Sequence, residues 1–437
     1  MTIMDFPNAP TVGQTWPSPP VAGQPVYTWD GVKWTVPIGG VPVVGTPILS
    51  DGSVSMAADL KLFGDPTTPL AAADKHYVDN AVQSSAAGGV RYDQAQTLTA
   101  AQMAQARANI GALKKNYLVN GAMQIAQEWG TASVTGSVYP VDQFGLSMAG
   151  AGAIAGNQAV GNVSPAGSQT RLHITVQTVA GAPAASDVCQ VFQVIEGLRC
   201  LDLNFGLSSA KTVTLQFGVK APAGTYGVSL RNYAGARSYV AEYIVTPAQA
   251  NIDTMFAVTF LGDAAGTWAK DNTGSMIATW NLRAGSTSQT TPGAWQSGNF
   301  TTTANQFNFT ATAGNVFELF DVGLYEGSVA PPFQVPDYAT EVALCMRYFE
   351  MGEEPTVYMS GLASTANAYG SLPFKVVKRA PPTMSVGTAW TYFSGGSGVT
   401  FTPNFNSTIN SFYWQNTGFT NWNGWTGVGT WKASARL

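Results

Sequence analysis

The sequence is poor in charge, cysteine and histidine. Only 11% of its 437 residues are charged, against roughly 25% in ordinary soluble proteins. The net charge of −4 disfavours a nucleic-acid partner. The cysteines Cys189, Cys200 and Cys345 are odd in number and form no CxxC or zinc pattern, so we expect buried thiols. The two histidines, His76 and His173, lie in no nucleophile motif.

Long apolar runs and export signals are also missing. No stretch of about 18 apolar residues occurs, and the N-terminus "MTIMDFPNAP" lacks the basic and apolar regions of a signal peptide. We therefore expect neither membrane insertion nor export by that route.

Motifs for catalysis and ion binding are absent as well. There is no P-loop, HExxH or EF-hand loop, so we expect no enzyme, no cofactor and no metal. A glycan-cleaving enzyme would need two facing carboxylates. The candidates, which the sequence cannot pair, are Asp142, Asp202, Asp263, Asp271, Glu318 and Asp321.

What the sequence does contain is turn formers and alternating segments. It has 47 glycines, 25 prolines and 45% apolar residues, a composition that favours β-structure. "RLHITVQT" and "KTVTLQFGVKA" alternate apolar and polar residues, as half-buried antiparallel strands do. "NVFELFDVGLYEG" is apolar on both faces and predicts a central strand. We expect a jelly-roll-like antiparallel β-sandwich over 116–335.

The last part of the chain, 336–437, predicts a β-rich tip. It opens with "DYATEVALCMRYFE", which fits a helix or a short helix running into a strand. Residues 355–437 contain no Asp or Glu and five basic residues, a balance that would attract anionic surfaces unless it is only a solvated basic face. Five of the twelve tryptophans lie there: Trp390, Trp414, Trp422, Trp425 and Trp431.

The first 45 residues predict a docking unit. Tyr27 and Trp29 alternate before Asp30-Gly31, and Trp34 follows, which predicts a β-hairpin with a type I′ turn. A unit this small does not fold alone. We therefore expect Tyr27, Trp29 and Trp34 to cover one face and dock on another protein.

Residues 46–115 predict a linker and a short helical shaft. One helix begins near Leu70, and a second has Thr99 as N-cap with Gln102 completing a capping box. The narrow apolar stripes of the two helices comprise Tyr77, Ala81, Met103, Ala106, Ile110 and Leu113. Helices this short are only marginally stable alone. We therefore expect identical chains to associate in a parallel bundle that buries the stripes. Packing on the C-terminal domain of the same chain is the alternative.

Three sets of segments resemble one family. "DPTTPLAAADKHYVDN" and "RYDQAQTLTAAQMAQARANIGA" resemble stretches of bacteriophage tail-fibre proteins. "YLVNGAMQIAQEWGT", "GDAAGTWAKDN", "FELFDVGLYEGSVAPPFQ" and "TEVALCMRYFE" resemble the C-terminal β-domain of many phage tail fibres. The resemblance covers most of 64–350. It implies a mainly β, fibrous homotrimer in the virion tail, with its N-terminus fixed to the tail or baseplate and its C-terminus binding a receptor.

The tip carries the candidate receptor site. "NSFYWQNTGFTNWNGWTGVGTW" mixes aromatic rings with amides and hydroxyls, the groups that stack on and hydrogen-bond to sugars. The candidate glycan-binding residues are Tyr413, Trp414, Asn421, Trp422, Asn423 and Trp425, with Trp422 and Trp425 in an expected loop. The alternative is that these rings fill a core.

We therefore predict host attachment through bacterial surface polysaccharide or lipopolysaccharide. The resemblance implies that the fibre assembles in the host cytoplasm, and the missing export signal agrees with this expectation. Two other functions stay open: a collar or baseplate fibre that never contacts the host, and a glycan-cleaving tailspike.

Overall fold

The computed structural model describes residues 6–22, 24–36, 99, 102, 105–106, 114–353, 358–362, 366–394, 397–419 and 422–437. The chain divides into two units, Met1–Ala87 and Gly88–Leu437.

The first unit holds a small antiparallel sheet of β1 (Thr15–Trp16), β2 (Tyr27–Trp29) and β3 (Trp34–Thr35), in that order. Trp29 pairs with Trp34, so the loop between β2 and β3 has four residues. The Asp30 carboxylate accepts hydrogen bonds from the backbone N–H groups of Val32 and Lys33, both at 2.8 Å. This corrects the predicted two-residue type I′ turn, because the aspartate side chain closes a longer loop instead.

The aromatic residues of this unit pack on one another. Phe6 stacks on Trp34 with ring centroids 5.1 Å apart and also contacts Trp16 and Tyr27. Trp29 and Trp34 are 5.6 Å apart. The proposed docking residues Tyr27, Trp29 and Trp34 are therefore half-buried in a small aromatic core, and docking stays a prediction.

The predicted capping box is present where the second helix begins. The Thr99 N–H donates to Gln102 Oε1 at 2.9 Å, and the Gln102 N–H donates to Thr99 Oγ1 at 3.3 Å. Ala106 is helical and half-buried. The other residues of the predicted apolar stripes lie outside the described residues: Tyr77, Ala81, Met103, Ile110 and Leu113. The helical shaft therefore stays a prediction.

Between Lys114 and Glu326 the second unit forms a β-sandwich. Its strands are β4 (Val134–Thr135), β5 (Gly145–Ala149), β6 (Ala153–Val160), β7 (Thr170–Thr178), β8 (Val188–Glu196), β9 (Val213–Lys220), β10 (Gly224–Asn232), β11 (Arg237–Val245), β12 (Thr254–Phe260), β13 (Gly274–Ala284), β14 (Trp295–Ser297) and β15 (Val316–Glu326). Its helices are short: α1 (Gly197–Cys200) and the 3-10 turns Leu201–Leu203, Pro247–Gln249, Ser286–Ser288 and Phe309–Ala311.

Two six-stranded antiparallel sheets face each other. Their orders are β14-β11-β10-β13-β8-β5 and β12-β9-β15-β7-β6-β4. The alternation predicted for β7 and β9 is confirmed, because their apolar residues all lie in the core between the sheets. The strand β15 is central in its sheet, as predicted, and Phe217 of β9 contacts Trp280 of β13 across the core at 5.8 Å.

After the sandwich, helix α2 (Tyr338–Met346) runs into β16 (Phe349–Glu353), so the second of the two predictions for this segment is correct. Asp337 caps the helix by accepting from the Thr340 N–H at 2.9 Å. The tip strands follow: β17 (Tyr358–Leu362), β18 (Ala366–Pro373), β19 (Thr383–Ser394), β20 (Ser397–Phe401), β21 (Asn404–Ser407), β22 (Ser411–Phe419) and β23 (Trp422–Ser434).

The tip strands form two antiparallel sheets around an aromatic core. One has the order β16-β23-β19-β20, with β17 also paired to β23, and the other has the order β18-β22-β21. Trp390 and Trp414 meet between them at 5.3 Å, and Phe412 meets Trp431 at 4.7 Å. The expectation of a β-rich tip is confirmed.

Buried polar contacts join the tip to the sandwich. The carboxylate of Glu196, at the end of β8, is fully buried and accepts from Arg347 Nε at 2.8 Å and from the Tyr348 hydroxyl at 2.7 Å. Glu341 on α2 accepts from the Asn120 N–H. The helix and the first tip strand are thus attached to the sandwich through charged groups rather than by chain connectivity alone.

Within the described residues, no helix has the length and apolar character that a membrane span requires.

Candidate functional site

The central strand β22 alternates between core and solvent. Phe412 and Trp414 are buried, while Tyr413 between them is 46% exposed. Successive side chains on a strand point to opposite faces of the sheet. One face of the sheet β18-β22-β21 therefore covers the tip core, and the other meets solvent.

Strand register places polar side chains beside Tyr413 on the solvent face. Ser371 of β18 and Asn406 of β21 are its direct partners. Two residues along β22, Gln415 lies between Tyr369 and Asn404. Residues opposite each other in a sheet share a face. We name this surface the tyrosine face; it consists of Tyr369, Ser371, Asn404, Asn406, Tyr413 and Gln415.

The two rings of the tyrosine face are diagonal neighbours on adjacent strands. Such residues lie about 7–8 Å apart, still within reach of aromatic side chains. Tyr369 is 57% exposed, and every member of the face is uncharged. The surface thus combines two large rings with three amides and a hydroxyl.

The opposite side of β22 explains why Tyr413 is exposed. Trp414 is fully buried, and Gly370 lies directly across from it. A Cβ atom on Gly370 would lie 2.3 Å from the indole nitrogen of Trp414, so only glycine leaves room for the ring. Trp414 therefore belongs to the core, which the sequence had left as the alternative to glycan binding.

The remaining candidates lie further along the chain. Asn421 is outside the described residues. Strand β23 includes Trp422, Asn423 and Trp425, and its backbone pairs with β17 and β19. This corrects the expected loop, because the Asn- and Gly-rich stretch continues a long strand.

Most of the positive charge of the tip is already paired. Lys432 and Arg436 both contact the Glu128 carboxylate of the sandwich, and Lys378 contacts Glu350. Arg379 donates to backbone carbonyls. Of the five basic residues, Lys375 is exposed. The expected attraction of the tip for anionic surfaces is therefore much weaker than its composition predicts.

The carboxylates considered for catalysis each have a protein partner. Asp142 accepts from Gln127, Asp202 from Tyr117 and Lys115, Asp263 from Arg237, Asp271 from Thr273, Glu318 from Arg171 and His173, and Asp321 from Ser168. The described residues contain no group of acidic, His and Cys side chains that could hold a metal ion.

The carboxylate of Glu318 and its partners lie on the outer face of the second sheet. His173 Nδ1 is 2.8 Å from Glu318 Oε1, and His173 Nε2 is 3.0 Å from Thr175 Oγ1. Burial alone would raise the pKa of Glu318, but hydrogen bonds from His173 and Arg171 outweigh it and lower the pKa to about 2. Glu318 is therefore a structural anion rather than a proton donor.

The three cysteines are buried and unpaired, as predicted. Burial raises the pKa of Cys189 to about 12 and that of Cys200 to about 11. A thiol with so high a pKa is a poor nucleophile at neutral pH.

Five members of the tyrosine face were missed by sequence reasoning: Tyr369, Ser371, Asn404, Asn406 and Gln415. They come from β18, β21 and β22, and only the pairing register brings them to one surface. The available signal was the alternation in "NAYGSLP" and "NFNS", which becomes meaningful only once both segments are known to flank β22.

Comparisons with known proteins give no family assignment. No family model and no curated protein match the sequence. The tailspike protein 4 enzymatically active domain of bacteriophage CBA120 is similar at 11% identity and a TM-score of 0.25, over 48% of this chain and 21% of that chain.

Carbohydrate-binding modules are similar to the same degree. The family 11 module of a cellulosomal cellulase of Clostridium thermocellum has 9% identity and a TM-score of 0.25, over 46% of this chain and 98% of that chain. TmCBM61 in complex with beta-1,4-galactotriose has 12% identity and a TM-score of 0.23, over 49% and 99%. At these identities and TM-scores, none of the three assigns the chain to a family or a function.

Proposed function

We propose that this protein is a phage tail fibre that attaches the virion to a bacterial surface glycan through the tyrosine face. The observation that supports the proposal is the exposure of Tyr369 and Tyr413 beside amides on one uncharged sheet surface. The phage context rests on the resemblance of the segments over 64–350.

The chemistry of the face suits a sugar. Pyranose rings present apolar C–H faces, on which an exposed tyrosine ring packs, and hydroxyls, which amides bind as both donors and acceptors. Tyrosine contributes a large contact area at low entropic cost because it has few rotatable bonds. Strands β18, β21 and β22 hold the groups on a rigid backbone, which limits the ordering cost of binding.

The same features favour a neutral glycan over a strongly anionic one. The face carries no charged side chain, and four of the five basic residues of 355–437 are engaged within the protein. Electrostatic attraction would weaken with salt, whereas stacking and hydrogen bonding respond little. We expect glycan affinity to change little between low and high salt.

Binding at a single face of this size is weak, and attachment gains strength from repetition. In the proposed homotrimer each fibre presents three faces, and several fibres act on one virion. The N-terminal unit would fix the fibre to the tail or baseplate, and the tip would reach the cell surface.

The test is a binding screen with the purified full-length chain against bacterial polysaccharides and lipopolysaccharides of defined structure. We expect the protein to bind at least one neutral glycan at low and at high salt, and to release no new reducing ends from it. Release of reducing ends would instead indicate a tailspike enzyme. Failure to bind any surface glycan, or host cells, would favour a collar or baseplate fibre.

A further inference from the structure

A short helical turn lies at the corner of the sandwich where the chain enters from the predicted shaft. Helix α1 and the 3-10 turn Leu201–Leu203 follow directly on β8. In this turn Leu198 is 48% exposed and Leu201 is 46% exposed. Residues three apart in consecutive helical turns are neighbours on one side. We name these two residues the leucine pair.

Hydrogen bonds hold the entering chain directly against this turn. Lys115 Nζ donates to the Arg199 carbonyl oxygen at 2.5 Å and to Asp202 Oδ1 at 3.2 Å. The Arg199 guanidinium donates in return to the carbonyl oxygens of Asn116 and Tyr117, both at 3.2 Å. Arg199 lies between the two leucines in sequence, so the entering chain is held next to the leucine pair.

The cationic groups at this corner have partners within the same chain. Lys114 Nζ donates to the carbonyl oxygens of Glu326 and Val329, and Lys211 contacts the Glu326 carboxylate at 2.9 Å. The contacts of the entering chain engage the other two cations. An identical corner can therefore approach the leucine pair without meeting cations that lack a partner.

The apolar surface continues beyond the leucine pair. Leu201 lines a small pocket together with Phe205, Trp268 and Met276. Phe205 and Trp268 pack edge to face at 4.8 Å and belong to the sandwich core. An apolar side chain placed over Leu201 would therefore rest on a rigid aromatic base.

The position of the corner in the proposed homotrimer indicates what covers it. Leu113 is the last residue of the predicted helical seam, and Lys114 follows it directly. Consecutive Cα atoms are about 3.8 Å apart, so residues 114–117 of three parallel chains begin close to their common axis. Each chain then brings the corner that holds these residues to the same axis.

We propose that the leucine pair contacts the leucine pairs of two other copies of this chain around the axis of the fibre. The inference rests on the homotrimer in the proposed function and adds the surface through which the sandwiches meet. Each copy buries two half-exposed leucine side chains, and burial of apolar surface favours association. Two leucines per chain are too small an interface to hold a trimer alone, so the contact adds to the helical bundle.

Cysteine crosslinking of the full-length protein tests this contact. The native thiols are buried, and burial raises their pKa values, so they react poorly at neutral pH. Leu198→Cys supplies one accessible thiol per chain. A trifunctional maleimide should join Leu198→Cys chains into covalent trimers, seen in denaturing electrophoresis, while the wild type stays as single chains.

The matched control is Val179→Cys, because Val179 is 50% exposed and lies at the other end of the sandwich. Strand β15 begins at Val316, which pairs with Thr175 of β7, and ends at Glu326 beside Lys114. It spans 11 residues, so the two ends are about 30 Å apart. We expect only single chains from this control. Covalent trimers of the control in equal yield would overturn the proposal.

Aspartate substitutions measure how much the contact contributes to assembly. Leu198→Asp with Leu201→Asp places charges from three chains where apolar contact is proposed, and burying them is costly. Sedimentation should show this variant half dissociated at a concentration at least about tenfold higher than the wild type, with Val179→Asp unchanged. Substitutions at exposed positions cost the single chain little, so the shift reports on assembly.

The mass of the wild type in the same sedimentation experiment separates two kinds of failure. A wild type with the mass of three chains, whose Leu198→Cys variant gives no covalent trimer, would overturn the leucine contact alone. A wild type with the mass of one chain would overturn the homotrimer and the contact together. Glycan binding by the tyrosine face would still be decided by the binding screen.

Discussion

Three neighbouring residues on β22 have opposite roles. Phe412 and Trp414 fill the core of the tip, and Tyr413 between them faces solvent. The sequence grouped Tyr413 and Trp414 as candidates for the same function. Strand geometry places them on opposite faces, and the space opposite Gly370 decides which of them is buried.

Alanine substitutions at these two positions should separate core from surface. Trp414→Ala removes a fully buried ring and is expected to lower the free energy of unfolding by about 3–5 kcal/mol. Tyr413→Ala removes an exposed ring and should change it by no more than about 0.5 kcal/mol. Chemical denaturation of the two variants measures the difference. Equal losses would place Tyr413 in a core as well.

At the scale of strands and helices, the sequence predicted some elements well and others poorly. Strands β7 and β9 were predicted because one face of each contacts the core, which imposes period-two alternation. The capping box at Thr99 was predicted because its chemistry is local. The start of β23 was expected to be a loop, because Asn and Gly disfavour strands unless neighbouring strands supply the pairing.

The tyrosine face could be predicted only in part, because it too depends on the pairing of neighbouring strands. Tyr413 was identified from local composition. The positions of Tyr369, Asn404 and Asn406 on the same face depend on which strands are neighbours and in what register, and a single sequence does not contain that information.

The attachment of α2 and β16 to the sandwich depends on Glu196. Its carboxylate is fully buried and contacts Arg347 and Tyr348. Removing one partner of a buried pair leaves the other uncompensated, so Glu196→Gln should cost about 3 kcal/mol of unfolding free energy.

The matched control is an exposed ion pair. Lys211 contacts Glu326 at 2.9 Å at the sandwich surface, and such pairs contribute roughly 0–1 kcal/mol. Lys211→Met should therefore be nearly neutral in the same denaturation experiment. A loss in Glu196→Gln no larger than that of this control would show that the buried contact does not hold the tip.

At the scale of the whole molecule, stability should depend on pH through Glu318. Its pKa is about 2 in the folded protein against 4.5 for the free side chain, so the folded state binds fewer protons than the unfolded state. Its stabilising contribution is present above about pH 4.5 and is lost as the pH falls toward about 2.

The variant Glu318→Gln isolates this contribution. The difference in unfolding free energy between wild type and variant should shrink from about pH 6 to about pH 3. Burial raises the pKa values of Asp142 and Glu341, so their contributions to stability fall as the pH rises, opposite to that of Glu318. Wild type and Glu318→Gln are therefore compared at each pH, because both contain these two acids. If the difference in unfolding free energy does not vary with pH, Glu318 does not have the low pKa assigned to it.

The proposed assembly concerns the whole chain as well. Short helical stripes over 46–115 are marginal in one copy, and three parallel copies would bury them. Sedimentation equilibrium at micromolar concentration should give three times the chain mass of 45.8 kDa. A folded species with the mass of one chain would favour packing of the helices on their own C-terminal domain.

The most direct test of the central claim is glycan binding by a double variant of the tyrosine face. The matched control is a double variant of two tyrosines of similar exposure elsewhere, Tyr233→Ala with Tyr338→Ala. Against a glycan that the wild type binds, Tyr369→Ala with Tyr413→Ala should lose at least about tenfold in affinity, or ~1.4 kcal/mol, with an unchanged melting temperature. The control should bind like the wild type. Undiminished binding by the Tyr369 and Tyr413 double variant would contradict the proposed site.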